Sequence, residues 1–153
     1  MPGYFIDTSA PAKLYHIEIG SQKMEALAES PDARLIVSQL SLIEIQSVFA
    51  TKVRTGAIDQ ATLEQMRGLF FADLAAGRFQ VVLVARRYFR SAERLIRLHA
   101  VNQALRTLDA LQLAVAVELL RRGVVSEVVA SDKNLCEVAA LEGLQVINPI
   151  QTP

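Results

Sequence analysis

Asp7, Glu44, Asp109 and Asp132 are the residues of this chain whose type and setting could do chemistry. Asp7 ends the apolar run Tyr4-Phe5-Ile6, and Asp132 follows another such run in VVASDKN. Glu44 lies in SLIEIQS. Asp109 opens RTLDALQLAVAVELL, where only Gln112 is not apolar between Ala110 and Val117. Each acid has a structural explanation. An Asp in a first turn is favoured by the helix dipole, with Thr107 as N-cap. Ser41-Leu-Ile-Glu44 fits a capping box. Asp132 could cap a helix starting at Lys133, and Asp7 one beginning near Ala10. Capping does not predict the apolar settings of Asp7 and Asp109. Carboxylates gathered on a partly dry surface repel, and some stay protonated unless a cation joins them. An all-oxygen group of this kind suits Mg²⁺ or Mn²⁺. Such an ion can acidify water and neutralise charge on a phosphoryl oxygen, which needs neither a nucleophilic side chain nor a histidine.

The elements that must position these acids alternate. Strand patterns at 4–6, 34–38, 79–84, 126–131 and 144–148 are separated by helical patterns. The helical stretches begin in DTSAPAKLY and continue at 21–29, 41–56, 59–77, 86–101, 107–122 and 133–143. Pro11 is tolerable in the first helix if it lies in the opening turn. Gly56, Gly77 and Gly123 close three of the others. Strands apolar on both faces and alternating with helices predict a parallel sheet covered on two sides, a three-layer α/β fold. Asp7 and Asp132 directly follow strands, and Glu44 lies in the first turn after one. All three therefore fall at the carboxyl-end rim where open α/β sheets bind ligands. The helix of Asp109 precedes a strand, so its N-terminus returns to the same rim.

Composition narrows the classes. The 153 residues are 52% hydrophobic with zero formal net charge, enough for one domain over 1–153 with a sizeable core. The lone Cys136 excludes an intrachain disulfide and a cysteine zinc site, and His16 and His99 are too few for a histidine metal site. Neither a signal peptide nor a membrane span is visible, so a cytoplasmic protein is expected.

The segments IDTSA, SLIEIQS, RTLDALQLAVA and SDKNLCEVAALEGLQVINP, in this order, resemble the PIN domain. More narrowly, they are similar to the VapC-type toxins of bacterial and archaeal toxin–antitoxin pairs, from about Tyr4 to Pro149. The resemblance implies a Mg²⁺- or Mn²⁺-dependent endoribonuclease on a Rossmann-like parallel sheet of about five strands. Asp7 and Asp109 would be the principal metal ligands. Glu44 and Asp132 would complete the site as further ligands or by positioning the attacking water. Ser9 and Ser131 would hold the carboxylates or water of the metal. Asn134 stands where some relatives carry another acid.

Six arginines, at 86, 87, 90, 94, 97 and 106, face one acid, Glu93, between Ala85 and Leu108. Arg90, Arg94 and Arg97 share a helix face. That face is either solvated, with arginine stems covering apolar surface, or a track for RNA phosphates. Arg106 lies beside the acids and is the best candidate for contacting the scissile region. Tyr15 and His16 read as packing or surface residues, and Cys136 as a small buried group. Leu63, Met66, Leu69, Phe70 and Phe71 exceed what one helix face needs. Core packing, a homodimer contact or a groove for an antitoxin helix would each account for them. Three alternatives to a toxin ribonuclease stay open: a non-catalytic PIN-like binding module, an RNA-processing PIN nuclease outside any toxin pair, and a phosphoacceptor α/β domain.

Overall fold

The computed structural model describes residues 3–151. Its sheet has five strands: β1 (Gly3–Ile6), β2 (Arg34–Ser38), β3 (Phe79–Val82), β4 (Glu127–Val129) and β5 (Gln145–Ile147). All pair in parallel, in the order β3-β2-β1-β4-β5. The chain moves outward to one side of β1 through β2 and β3, then returns to its other side with β4. The switch point thus lies between β1 and β4, the place where open α/β sheets bind ligands.

Seven helices cover the sheet: α1 (Ser9–Ala12), α2 (Ser21–Glu29), α3 (Leu40–Arg54), α4 (Gln60–Ala75), α5 (Arg86–His99), α6 (Thr107–Arg121) and α7 (Lys133–Leu141). Two cores lie on the opposite faces. One joins Ile6, Leu35, Val37 and Val129 to Met24, Phe49, Met66 and Phe70. The other joins Phe5, Ile36 and Val128 to Leu95, Leu113, Val115 and Leu135. This is the expected three-layer α/β arrangement. No described helix is long and apolar enough to cross a membrane.

The differences from the sequence reading are local. The strand expected over 79–84 ends at Val82, because its neighbour turns into α3. Val84 then donates its backbone N–H to the Gln39 side chain at 3.2 Å instead of to a strand. The first helix is one turn long, with Pro11 inside it, where a missing N–H costs nothing. Thr107 is not an N-cap: Arg106 holds that position, and no side chain caps α6. The capping box at Ser41 is also absent. Helix α3 starts earlier, at Leu40, whose N–H is taken by Ser38 Oγ at 3.2 Å. Glu44 is thereby released from a capping duty.

Candidate active site at the sheet rim

Asp7 leaves the end of β1, where its backbone N–H still bonds Val129 O of β4 at 2.9 Å. That bond places it at the switch point. The residue is only 8% exposed. Burial, then the charges of Glu44 and Asp109, push its pKa up to about 6, against the opposing help of the Thr8 backbone and the Ser9 hydroxyl. Ser9 Oγ donates to Asp7 Oδ2 at 3.2 Å, as expected of a supporting hydroxyl. Burial also raises the pKa of Glu44, opposed by hydrogen bonds from Gln112 and Thr8.

Asp109 lies in the first turn of α6, and its Oδ2 accepts from Arg106 Nε at 3.2 Å. Glu44, Asp109 and Arg106 line one cleft of about 760 Å³ with Ile43, Val48 and Leu108. Asp132 is the N-cap of α7: its Oδ1 accepts the Leu135 N–H at 2.8 Å, so the capping explanation holds for this residue. Its charge still acts on Arg106, as do those of Asp109 and Asp7. Ser131 lies beside it with a buried Oγ that has no hydrogen-bond partner among the described residues. Asn134 accepts from the Ala104 N–H at 3.3 Å, tying α7 to the segment that leads into α6.

Gln112 was visible in the sequence only as a polar interruption. It is 1% exposed, and its amide reaches Glu44, Thr8, Ser41 and Ser38. Thr8 had no recognisable signal, since lone hydroxyls occur throughout the chain, and Ser41 was legible only as part of a capping box. Their Oγ atoms meet at 3.0 Å, 33 residues apart in sequence.

The arginines differ in what holds them. Arg94 bonds Glu142, the C-cap of α7, whereas Asp132 caps its other end. A nine-residue helix, roughly 14 Å long, separates the two. Arg97 pairs with Glu93 at 2.6 Å and Arg87 with Glu118 at 2.8 Å. Arg90 is exposed and makes no ion pair among the described residues. Arg106 is the arginine that adjoins the acids. Tyr15 packs edge-on against Phe49 and Phe70 and donates to Asp73 at 2.6 Å, a structural role. Cys136 gives its thiol to Ala130 O, and burial pushes its pKa up to about 11, so it stays protonated. Of the surplus apolar residues on α4, Leu63, Met66 and Phe70 are core, while Leu69 and Phe71 are exposed.

A divalent cation fits the donor set of this rim. Asp7 is buried among like charges and makes no ion pair among the described residues, and the nearby guanidinium of Arg106 is engaged by Asp109. Oxygen donors with excess negative charge are what Mg²⁺ and Mn²⁺ take. Among the described residues, no three Asp, Glu, His or Cys side chains are grouped so as to hold an ion by themselves. Water or substrate would supply the remaining ligands, as is usual for Mg²⁺.

Acids at the strand ends of a parallel three-layer sheet, two of them lining a cleft, define the class: an α/β protein with an acidic rim. The chain belongs to the PIN domain family, whose sequence pattern matches residues 4–141. Its fold is similar to that of Mycobacterium tuberculosis VapC20, a sarcin–ricin loop cleaving toxin. There the TM-score is 0.64 at 18% identity, covering 88% of this chain and 93% of that one. A toxin–antitoxin complex from Klebsiella pneumoniae contains a chain matching at TM-score 0.60 and 18% identity, over 95% and 97% of the two chains. VapBC2 from Rickettsia felis, bound to a promoter DNA fragment, matches at 0.62 and 15%, over 95% and 98%. No curated protein matches the sequence.

Proposed function

We propose that the chain is a divalent-cation-dependent endoribonuclease acting at the rim of Asp7, Glu44, Asp109 and Asp132, and that it serves as the toxin of a toxin–antitoxin pair. The observation that carries the catalytic part is Asp7: a buried carboxylate beside Glu44 and Asp109 with no ion pair of its own among the described residues. Membership in the PIN family and the likeness to toxin folds support the rest. Asp7 and Asp109 would hold Mg²⁺ or Mn²⁺, with Asp132 offering the oxygen its cap leaves free. When bound, such a cation neutralises charge building on a phosphoryl group and lowers the pKa of water at the site.

The chain's own residues do the remaining work. Arg106, exposed at the mouth of the cleft, binds a phosphate oxygen of the RNA. Glu44 orients the attacking water, whose oxygen bonds phosphorus and gives up a proton to solvent as an ester P–O bond breaks. The departing oxygen takes a proton from solvent. Ser9 keeps Asp7 in place, and Ser131 offers its unpartnered hydroxyl beside Asp132. Arg90 extends the phosphate contact, whereas Arg94 and Arg97 contribute less because carboxylates already hold them. Exposed Leu69 and Phe71 would contact an antitoxin or a second copy of the chain. A cytoplasmic location accompanies this reading.

The test is cleavage of RNA by purified protein with Mn²⁺, compared with Asp7→Asn and Asp109→Asn. Both variants should keep the wild-type circular dichroism spectrum and lose cleavage. A variant cutting at the wild-type rate would show that the site is wrongly assigned. Co-purification with the product of an adjacent reading frame tests the toxin role, and a solitary gene would favour RNA processing.

A further inference from the structure

We propose that Gln112 is the positioning residue of this rim: its carboxamide holds the Glu44 carboxylate in place and locks α3 and the turn after β1 onto α6. The inference rests on the cation-dependent reading above.

A primary amide inside an apolar helix is costly unless all its polar atoms are bonded. Gln112 is the buried polar residue in the run from Ala110 to Ala116, and it uses both ends of its amide. Ser38 Oγ donates to its Oε1 at 2.7 Å. Its Nε2 faces Glu44 Oε1 at 3.2 Å, and Thr8 Oγ1 and Ser41 Oγ at 3.1 Å each. These partners come from the end of β2, from α3 and from the turn after β1, which are remote in sequence.

The orientation of the amide follows from the proton inventory. Ser38 Oγ accepts the Leu40 N–H, so its own proton is free for Gln112 Oε1. The NH₂ end is thereby directed at Glu44. A flipped amide would set oxygen against a carboxylate and leave the Ser38 proton without an acceptor. Asp109 precedes Gln112 by three residues on the same helix, so the two share a face. One rigid element therefore carries one acid directly and fixes a second through a hydrogen bond. A structural filler of this volume needs no polar atoms: methionine would occupy the space without desolvating an amide.

The experiment is calorimetric titration of Mn²⁺ into wild type, Gln112→Met, Ser38→Ala and a control, Leu113→Ala, with a melting curve for each. Leu113 is 1% exposed on the same helix, and its apolar side chain makes no hydrogen bond in this network. Gln112→Met should weaken Mn²⁺ binding roughly tenfold, the usual cost of losing a group that orients a ligand. Ser38→Ala frees the amide to turn and should lose a smaller factor. Leu113→Ala should melt lower and bind Mn²⁺ like wild type. Wild-type affinity in folded Gln112→Met overturns the proposal, and so does an equal loss in Leu113→Ala, which would mark general loosening of the helix. If Gln112→Met does not fold, an unchanged Ser38→Ala overturns it instead. A wild type that binds no Mn²⁺ defeats the cation reading itself, and the Gln112 role with it, a result distinct from the others.

Discussion

Asp7 and Glu18 are two partly or fully buried carboxylates on either side of α1, and they are treated in opposite ways. Glu18 sits between two lysines, with Lys52 Nζ at 2.7 Å and Lys13 Nζ at 3.4 Å. Burial works to raise its pKa, but the hydrogen bonds and charges of Lys52 and Lys13 overcome it, and the net shift is downward. Asp7 has a hydroxyl and a backbone N–H as its help, faces two more acids, and is shifted upward to about 6. The same fold thus neutralises one partly buried acid internally and leaves the buried one in deficit. A deficit of that kind persists in a folded protein where something outside the chain meets it.

The largest expected effects come from neutralising the two acids separately. Asp7→Asn should abolish RNA cleavage and at the same time stabilise the metal-free protein. Because the folded-state pKa of Asp7 lies above its ordinary value of 3.8, the native state holds the proton more tightly than the unfolded chain. Stability in EDTA therefore falls as pH rises from about 4 through 6 and stays low above. Near pH 7.5 the substitution should recover up to roughly 3 kcal/mol, a difference that vanishes near pH 4. Glu18→Gln should do the opposite. It leaves Lys13, 8% exposed, and Lys52 without their carboxylate, costing about 1–3 kcal/mol at pH 7 once partial solvent screening is allowed for. The contribution of Glu18 is present above its ordinary pKa and is lost as pH falls through its lowered value. Urea unfolding of both variants at pH 4 and 7.5 measures the contrast. Equal signs at pH 7.5 would break it.

A smaller effect sharpens the same comparison. Mn²⁺ at ten times its dissociation constant should stabilise wild type by about 1.4 kcal/mol. It should leave Asp7→Asn unchanged and act on Glu18→Gln as on wild type. Thermal melts with and without the ion measure this. A full response in Asp7→Asn would place the cation elsewhere.

The fold was legible because it rests on long-range regularities of pattern. Apolar runs such as RLIVS at 34–38 and the helical period of 107–122 survive small errors in their ends, and alternation alone predicts the parallel sheet. The placement of Asp7 and Asp109 at one rim followed from topology, without any side-chain geometry. What was not legible depended on single hydrogen bonds. Ser41 and Glu44 match a capping box letter for letter, yet Ser38 takes over the start of α3 one residue earlier. Thr107 failed as a cap for a similar reason, since helix entry shifted by one residue. Gln112 was conspicuous in the sequence, but its four partners lie 68 to 104 residues away. Local pattern carries no information about contacts of that range. The arginine stripe shows the complementary limit: helical spacing showed a shared face but not Glu142, just beyond α7, which meets Arg94.

The smallest predicted effect separates the arginines. Arg106 meets the rim, and its guanidinium leans on an acid that a cation would claim. Its release would leave it free for a phosphate. Arg106→Ala should therefore lower kcat/KM for RNA and reduce the steepness of its salt dependence by roughly one phosphate contact. Arg94 is already held by Glu142 at the far end of α7. Arg94→Ala should leave both quantities near wild type, with a stability change of less than about 1 kcal/mol for so exposed a pair. Cleavage measured at two salt concentrations checks both. If the two substitutions act alike, RNA runs along α5 as well as across the rim, and the excess negative charge around Asp7 is met by a wider basic surface than Arg106 alone.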